Sequence, residues 1–257
     1  MTDVIAMSPG SLAVIGGSGF YSLLEGSDSQ SVSVQTPFAD EAVTVYREST
    51  TAGSVWFLPR HGKQHSVAPH LINYRANIWA LHQLGVSKVI AINAVGGINK
   101  NLPAGTLVLP DQLIDYTWGR DHTYVGGDHS LDKHVDFTAP YDADLSAVLV
   151  RTAVANGREL SSTAVYAAVQ GPRFETAAEV RKLQNDGCDI VGMTGMPEAA
   201  LARELGLRYA CIAVVVNKAA GLEDGSISMT EIQQVMNSGM QEVRQLLLQA
   251  LPSLISL

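Results

Sequence analysis

The sequence predicts an α/β fold, a single domain over residues 1–257 with a central mixed sheet flanked by helices. Two observations carry that expectation. Short β-rich apolar runs alternate with segments of helical spacing, and no internal repeat, low-complexity tract or Pro/Ser-rich linker divides the chain. With 257 residues, 46% of them hydrophobic, one substantial core can be buried.

The first apolar run, residues 12–15, reads as a strand, and further strands are expected at 54–58, 88–92, 106–109, 164–170 and 209–216. The last of these, YACIAVVV, is apolar throughout, as a central strand covered on both faces would be. Between the strands, residues 73–83, 144–154, 176–184 and 197–205 carry helical spacing, the last with Thr194 as a candidate N-cap and Gly206 as a stop. Residues 229–251 repeat apolar side chains at Ile232, Val235, Met236, Val243, Leu246 and Leu247 and predict one long amphipathic helix.

Composition narrows the function classes. A formal charge of -8 with no run of Lys or Arg disfavours a nucleic-acid partner, which leaves a small molecule as the expected one. Cys188 and Cys211 fit neither a redox CxxC pair nor a zinc site. The opening residues lack a basic segment followed by a long apolar one, and no apolar stretch reaches about 20 residues. A cytoplasmic location and no membrane partner are expected.

Polar, Gly-rich and His-rich segments fall at the ends of expected strands, where open α/β sheets bind ligands. Gly16-Gly17-Ser18-Gly19-Phe20 can close backbone N–H groups on an anion or form only a glycine turn. A dinucleotide fingerprint fails because Ser22 stands where its third glycine belongs, and Phe20 breaks the GxSxG elbow. Pro59-Arg60-His61-Gly62-Lys63-Gln64-His65 sets a guanidinium, able to grip phosphate oxygens in a fork, beside imidazoles that add a hydrogen bond or a charge. No HExxH or carboxylate-assisted spacing accompanies these histidines, so no metal is expected.

Asn93 and Ala94 sit where another strand runs into small residues. In Gln170-Gly171-Pro172-Arg173-Phe174-Glu175-Thr176, Phe174 can stack on a planar base or pack in the core, and Glu175 can bind a ligand or favour a helix N-terminus. Met193 and Thr194 lie just before a helix, where a hydroxyl can cap, bind an anion, or both. Asn217 emerges from a long apolar strand; as a buried amide it would cost about 1–3 kcal/mol without partners, while as a turn residue it would need none.

Taken in order, IGGSGFY, LPRHG with HSVAPHLINYRANIWAL, GPRFET and VGMTGMPEAALARELG resemble the nucleoside phosphorylase family that contains methylthioadenosine phosphorylase and trimeric purine nucleoside phosphorylase. The similarity runs from about Val14 into the last expected helix. It implies a phosphate site at Ser18, Arg60, His61, Asn93 and Thr194, with Asn93 standing where methylthioadenosine phosphorylases carry a hydroxyl residue. Ala94 and Met193 would border the sugar, and Phe174 would lie against the base. His134 would reach a neighbouring active site, near the sugar's 5' end, in a homotrimer. Inorganic phosphate is the implied co-substrate, with no metal or organic cofactor. The implied reaction is attack of phosphate on C1' of a purine nucleoside as the bond to N9 breaks, with Arg60, His61 and Asn217 as the catalytic groups.

Departures from the family pattern bear on the substrate. Methylthioadenosine phosphorylases carry Asp at the positions matching Asn217 and Ala219, and Ser at the position matching Glu175. Asn217 can donate to O6 and accept from a protonated N7, and Glu175 can accept from N1–H, a set suited to a 6-oxopurine. No His follows His134; the segment at 226–232 offers Met229 and Ile232 near the 5' group instead, which favours methylthio over hydroxyl. The leading expectation is phosphorolysis of S-methyl-5'-thioinosine to hypoxanthine and S-methyl-5-thio-alpha-D-ribose 1-phosphate. A methylthioadenosine phosphorylase, an inosine/guanosine phosphorylase and a non-catalytic nucleoside-binding protein are the alternatives.

Overall fold

The computed structural model describes residues 11–24, 29–126, 134–223 and 228–257. The opening residues 1–10, and Ser226 and Ile227 of the segment expected near the 5' group, lie outside the described residues. In chain order the strands are β1 (Ser11–Gly16), β2 (Gln30–Thr36), β3 (Ala39–Thr50), β4 (Gly53–Pro59), β5 (Val86–Gly97), β6 (Leu107–Val108), β7 (Gln112–Asp115), β8 (Val165–Ala168), β9 (Ile190–Gly192) and β10 (Arg208–Lys218). The helices are α1 (Tyr74–Gln83), α2 (Ala143–Ala155), α3 (Ala177–Asn185), α4 (Glu198–Glu204) and α5 (Met229–Ser256). No helix among the described residues is long and apolar enough to cross a membrane.

The strands form one mixed sheet in the order β2-β3-β4-β1-β5-β9-β8-β7, with β10 paired to β5 and β6. Alternation along the central strands divides the core. Ala13, Ile15, Val89, Ala91, Cys211, Ala213 and Val215 pack with α1 and α4, while Leu12, Val14, Ile90, Ile92, Ala210, Ile212 and Val214 pack with α2 and α5. Both faces are therefore covered, which explains the continuous apolar run of β10.

All six expected strands form, with shifted ends. Four strands were not anticipated: the β2–β3 hairpin is half polar and lies at the sheet edge, and β7 and β9 are short enough that only pairing defines them. Thr194 does not cap α4. The N-cap is Pro197, with no side-chain cap bond, because the chain makes another turn before the helix begins. Helix α5 continues past Pro252, whose missing N–H would have met the carbonyl of Leu248 on the exposed side of the helix, where water can replace it. Buried Leu254 holds the final turn, and the Lys88 ammonium donates to the Ile255 carbonyl at 2.9 Å.

Strand β5 changes neighbour along its length, and this opens the functional crevice. Its first half pairs with β1 as far as Ala91, and its end pairs with β9 at Gly96 and Gly97, leaving Asn93 and Ala94 at the fork between them. Strands β1, β4, β5 and β10 are parallel, so their carboxyl ends reach the same edge.

Candidate active site

A cavity of about 390 Å³ opens at that edge. Every expected site residue except His134 lines it: Ser18, Arg60, His61, Asn93 and Thr194 at the expected anion end, Ala94 and Met193 at the fork, and Phe174, Glu175, Asn217 and Ala219 beyond. Met229 and Ile232 approach from α5. His134 is exposed and does not line this chain's own cavity. Sequence reasoning missed His65 and Met236 as lining residues, although both were visible in segments already singled out.

The expected anion end is built by close approach of backbone. Ser18 sits in the turn after β1, where a Cβ on Gly17 would lie 2.4 Å from the Ile92 carbonyl oxygen and Gly19 holds φ at +77°. Only glycine meets both demands, which lets this turn pack directly against the backbone of β5. The Ser18 hydroxyl lies 3.5 Å from His65 Nε2.

Arg60 is fully enclosed. Its Nε and Nη2 donate to the two carboxylate oxygens of Glu198 at 2.6 and 2.7 Å, and Nη1 donates to the Ile92 carbonyl at 3.1 Å. The Tyr209 hydroxyl also donates to Glu198, at 2.8 Å. Burial alone would depress the guanidinium, but the charge and hydrogen bonds of Glu198 raise its pKa above the ordinary value. This fork-to-fork pair fixes the plane of Arg60 and leaves one N–H on each terminal nitrogen for a ligand. Glu198 is a positioning residue that sequence reasoning passed over, since its partner lies 138 positions away.

His61 donates from Nδ1 to the Val67 carbonyl at 2.8 Å. A carbonyl only accepts, so that nitrogen carries the hydrogen. Burial, then the Arg60 charge, pushes the imidazole down to about 4, and it is neutral at pH 7. His61 therefore brings a hydrogen bond to the site and not the charge that the sequence left open. Because the unfolded chain would bind this proton near the ordinary value of 6.5, stability should fall as pH drops from 6.5 towards 4. Urea unfolding across that range checks this; His61→Asn should flatten the slope, and an unchanged slope would assign it to other groups.

At the other end, the register of β10 against β5 shifts between Val215 and Asn217, so that Asn217 and not Val216 pairs with Gly96. The extra residue turns Asn217 to the face that period-two alternation would have denied it. Its Nδ2 donates to the Lys218 carbonyl at 2.6 Å, which sets the orientation of the amide and leaves Oδ1 and one N–H uncommitted. Burial raises the pKa of Glu175 on the far wall. Ala219, buried against Gly96, adds no polar group. On α5, Met229, Ile232 and Met236 share one helical face towards the cavity, while Gln233 beside them is engaged with Asn237 at 2.9 Å.

The phosphorylase superfamily model matches residues 11–252. A Pseudomonas syringae pathovar tomato protein named probable S-methyl-5'-thioinosine phosphorylase is 47% identical over 232 residues, 90% of this chain and 94% of its own length. A Xylella fastidiosa protein of the same name is 51% identical over 222 residues, 86% of this chain and 94% of its own. The structure of methylthioadenosine phosphorylase from Schistosoma mansoni in complex with adenine superposes with a TM-score of 0.86 at 31% identity, covering 94% of this chain and 91% of that one. Since the matched residues run from the first strand into the last helix and include all those that line the cavity, the chain belongs to the phosphorylase superfamily.

Proposed function

We propose that this enzyme, a phosphate-dependent pentosyltransferase by family, cleaves S-methyl-5'-thioinosine to hypoxanthine and S-methyl-5-thio-alpha-D-ribose 1-phosphate. The observation that carries the reading is the pairing, in one cavity, of a buried cationic anion site with an amide and a carboxylate that complement a 6-oxopurine. The names of the two bacterial relatives support it.

In this reading Arg60 holds phosphate against C1', with Ser18, His61, Asn93 and Thr194 around it. As the C1'–N9 bond breaks, its electron pair goes to the purine and positive charge grows on the sugar, beside the phosphate. The proton carried by hydrogen phosphate ends on the base. Asn217 accepts from N7–H and donates to O6, and Glu175 accepts from N1–H, so charge on the departing purine is met by groups already in place. Phe174 covers the base, and Ala94 and Met193 flank the sugar. Met229, Ile232 and Met236 receive the methylthio group.

The chain is proposed to act in the cytoplasm as a homotrimer, with His134 completing a neighbouring cavity. Its exposed position, together with large exposed apolar side chains at Leu71, Trp118, Val125 and Val135, supports an assembly. No metal or organic cofactor has a role.

Purified protein given methylthioinosine should release hypoxanthine only when phosphate is present and equally well with a chelator. Methylthioinosine should exceed inosine in kcat/KM by at least about tenfold, because α5 presents an apolar face of Met229, Ile232 and Met236 to the 5' group. Release without phosphate, loss of activity with the chelator, or a preference for inosine would overturn the corresponding part of the reading.

A further inference from the structure

We propose that Arg120, which lies outside the cavity, is a positioning residue for base choice, its guanidinium locking the main chain that carries Phe174 and Glu175. This rests on the base pocket of the reading above and names what holds the wall of that pocket in place.

Arg120 is 8% exposed and does not line the cavity. A guanidinium has five N–H groups, and here all of them are engaged. Nε donates to Gln170 Oε1 at 3.1 Å, Nη1 to the Met196 carbonyl at 2.5 Å and the Tyr74 hydroxyl at 3.2 Å, and Nη2 to the carbonyls of Gln170 and Val169 at 2.8 and 3.3 Å. The Trp118 N–H shares Gln170 Oε1 at 3.2 Å. None of the groups that Arg120 reaches is a carboxylate. A buried cation without a counter-ion is costly, so a charge kept here on main-chain carbonyls points to a geometric task.

The held carbonyls belong to the cavity wall. Val169 and Gln170 follow β8 and lead into Phe174 and Glu175, whereas Met196 ends the turn that carries Met193 and Thr194. Arg120 joins these two segments, and Gly171 packs so closely on Met193 that an added Cβ would lie 2.5 Å from Sδ. Among the described residues no hydrogen bond from another residue reaches the Glu175 carboxylate, so its aim is set by the main chain that bears it. Beyond Glu175 that chain is held by Glu179, which accepts from the Thr176 N–H at 2.7 Å and pairs with Arg173 at 2.7 Å. The side chains of Arg173 and Glu179 are 67% and 44% exposed, and an ion pair in water holds little. The buried hold on this wall is Arg120.

Arg120→Lys keeps the charge but offers fewer donors and no planar fork. In the full chain it should lower the methylthioinosine to methylthioadenosine ratio of kcat/KM by at least about tenfold, since a wall misplaced by about 1 Å can cost about a hundredfold. The phosphate KM should stay within about threefold of wild type, a split that general loosening would not give. Gln170→Leu removes only the Oε1 acceptor and should lower the ratio by about threefold, which keeps the test decisive if urea unfolding shows Arg120→Lys to be unfolded. A folded Arg120→Lys with the wild-type ratio, a phosphate KM that moves as far as the ratio, or an unchanged ratio in Gln170→Leu would overturn the proposal. A wild-type preference for methylthioadenosine that Arg120→Lys flattens would uphold it and sink the functional reading. A methylthioinosine preference untouched by Arg120→Lys would do the reverse, and a wild type without preference would sink both.

Discussion

Glu198→Ala should destabilise the protein by about 3–5 kcal/mol, the largest effect expected from any single substitution in the site. The side chains of Arg60 and Glu198 are 0% and 1% exposed, so removing the carboxylate leaves a guanidinium buried without its counter-ion. The Tyr209 hydroxyl loses its acceptor as well. Urea denaturation reads the loss directly, and a change below about 1 kcal/mol would mean that water reaches Arg60 on truncation. Glu198→Gln keeps the shape and one acceptor oxygen. It should fold, yet raise the phosphate KM by at least about tenfold, because the plane of Arg60 is no longer set from both carboxylate oxygens. A nucleoside KM that moved in step with the phosphate KM would argue for general loosening instead of positioning.

The second large effect concerns the base. Hypoxanthine offers an O6 acceptor and an N1–H donor, whereas adenine offers an N6 amino donor and an N1 acceptor, so Asn217 and Glu175 each face the wrong partner with adenine. Each unsatisfied buried group costs about 1–3 kcal/mol, and together they amount to at least about a hundredfold in kcat/KM. Asn217→Asp with Ala219→Asp should move preference towards methylthioadenosine, and adding Glu175→Ser should move it further. Absolute rates should fall along the series. Asp at 217 loses the N–H that ties the amide to the Lys218 carbonyl, and Asp at 219 enters a position that is 3% exposed beside Gly96. A triple variant with the wild-type base ratio would remove these three positions from base choice.

Much of the site was legible because its residues sit where strands end. Apolar runs locate the central strands, and in a parallel arrangement their carboxyl ends must meet, which brings Ser18, Arg60 and Asn217 together from segments far apart in the chain. What stayed hidden depends on contacts without a local signature. The β2–β3 hairpin alternates polar and apolar residues at an edge, where little burial is demanded. The bulge that aims Asn217 is a feature of pairing between β10 and β5 and leaves no mark in an unbroken apolar run. Thr194 had a capping residue's chemistry, but the turn that follows it moves the helix start to Pro197. The protonation pattern of His61 follows from the carbonyl of Val67, six positions on, which only the folded loop brings near.

In the proposed function Asn217 and Glu175 together select a 6-oxopurine in a phosphate-dependent cleavage. The ratio of kcat/KM for methylthioinosine to that for methylthioadenosine, measured with wild-type protein at saturating phosphate, tests it most directly. The expected ratio is at least about one hundred in favour of methylthioinosine, and equal or better cleavage of methylthioadenosine would remove Asn217 and Glu175 from that role.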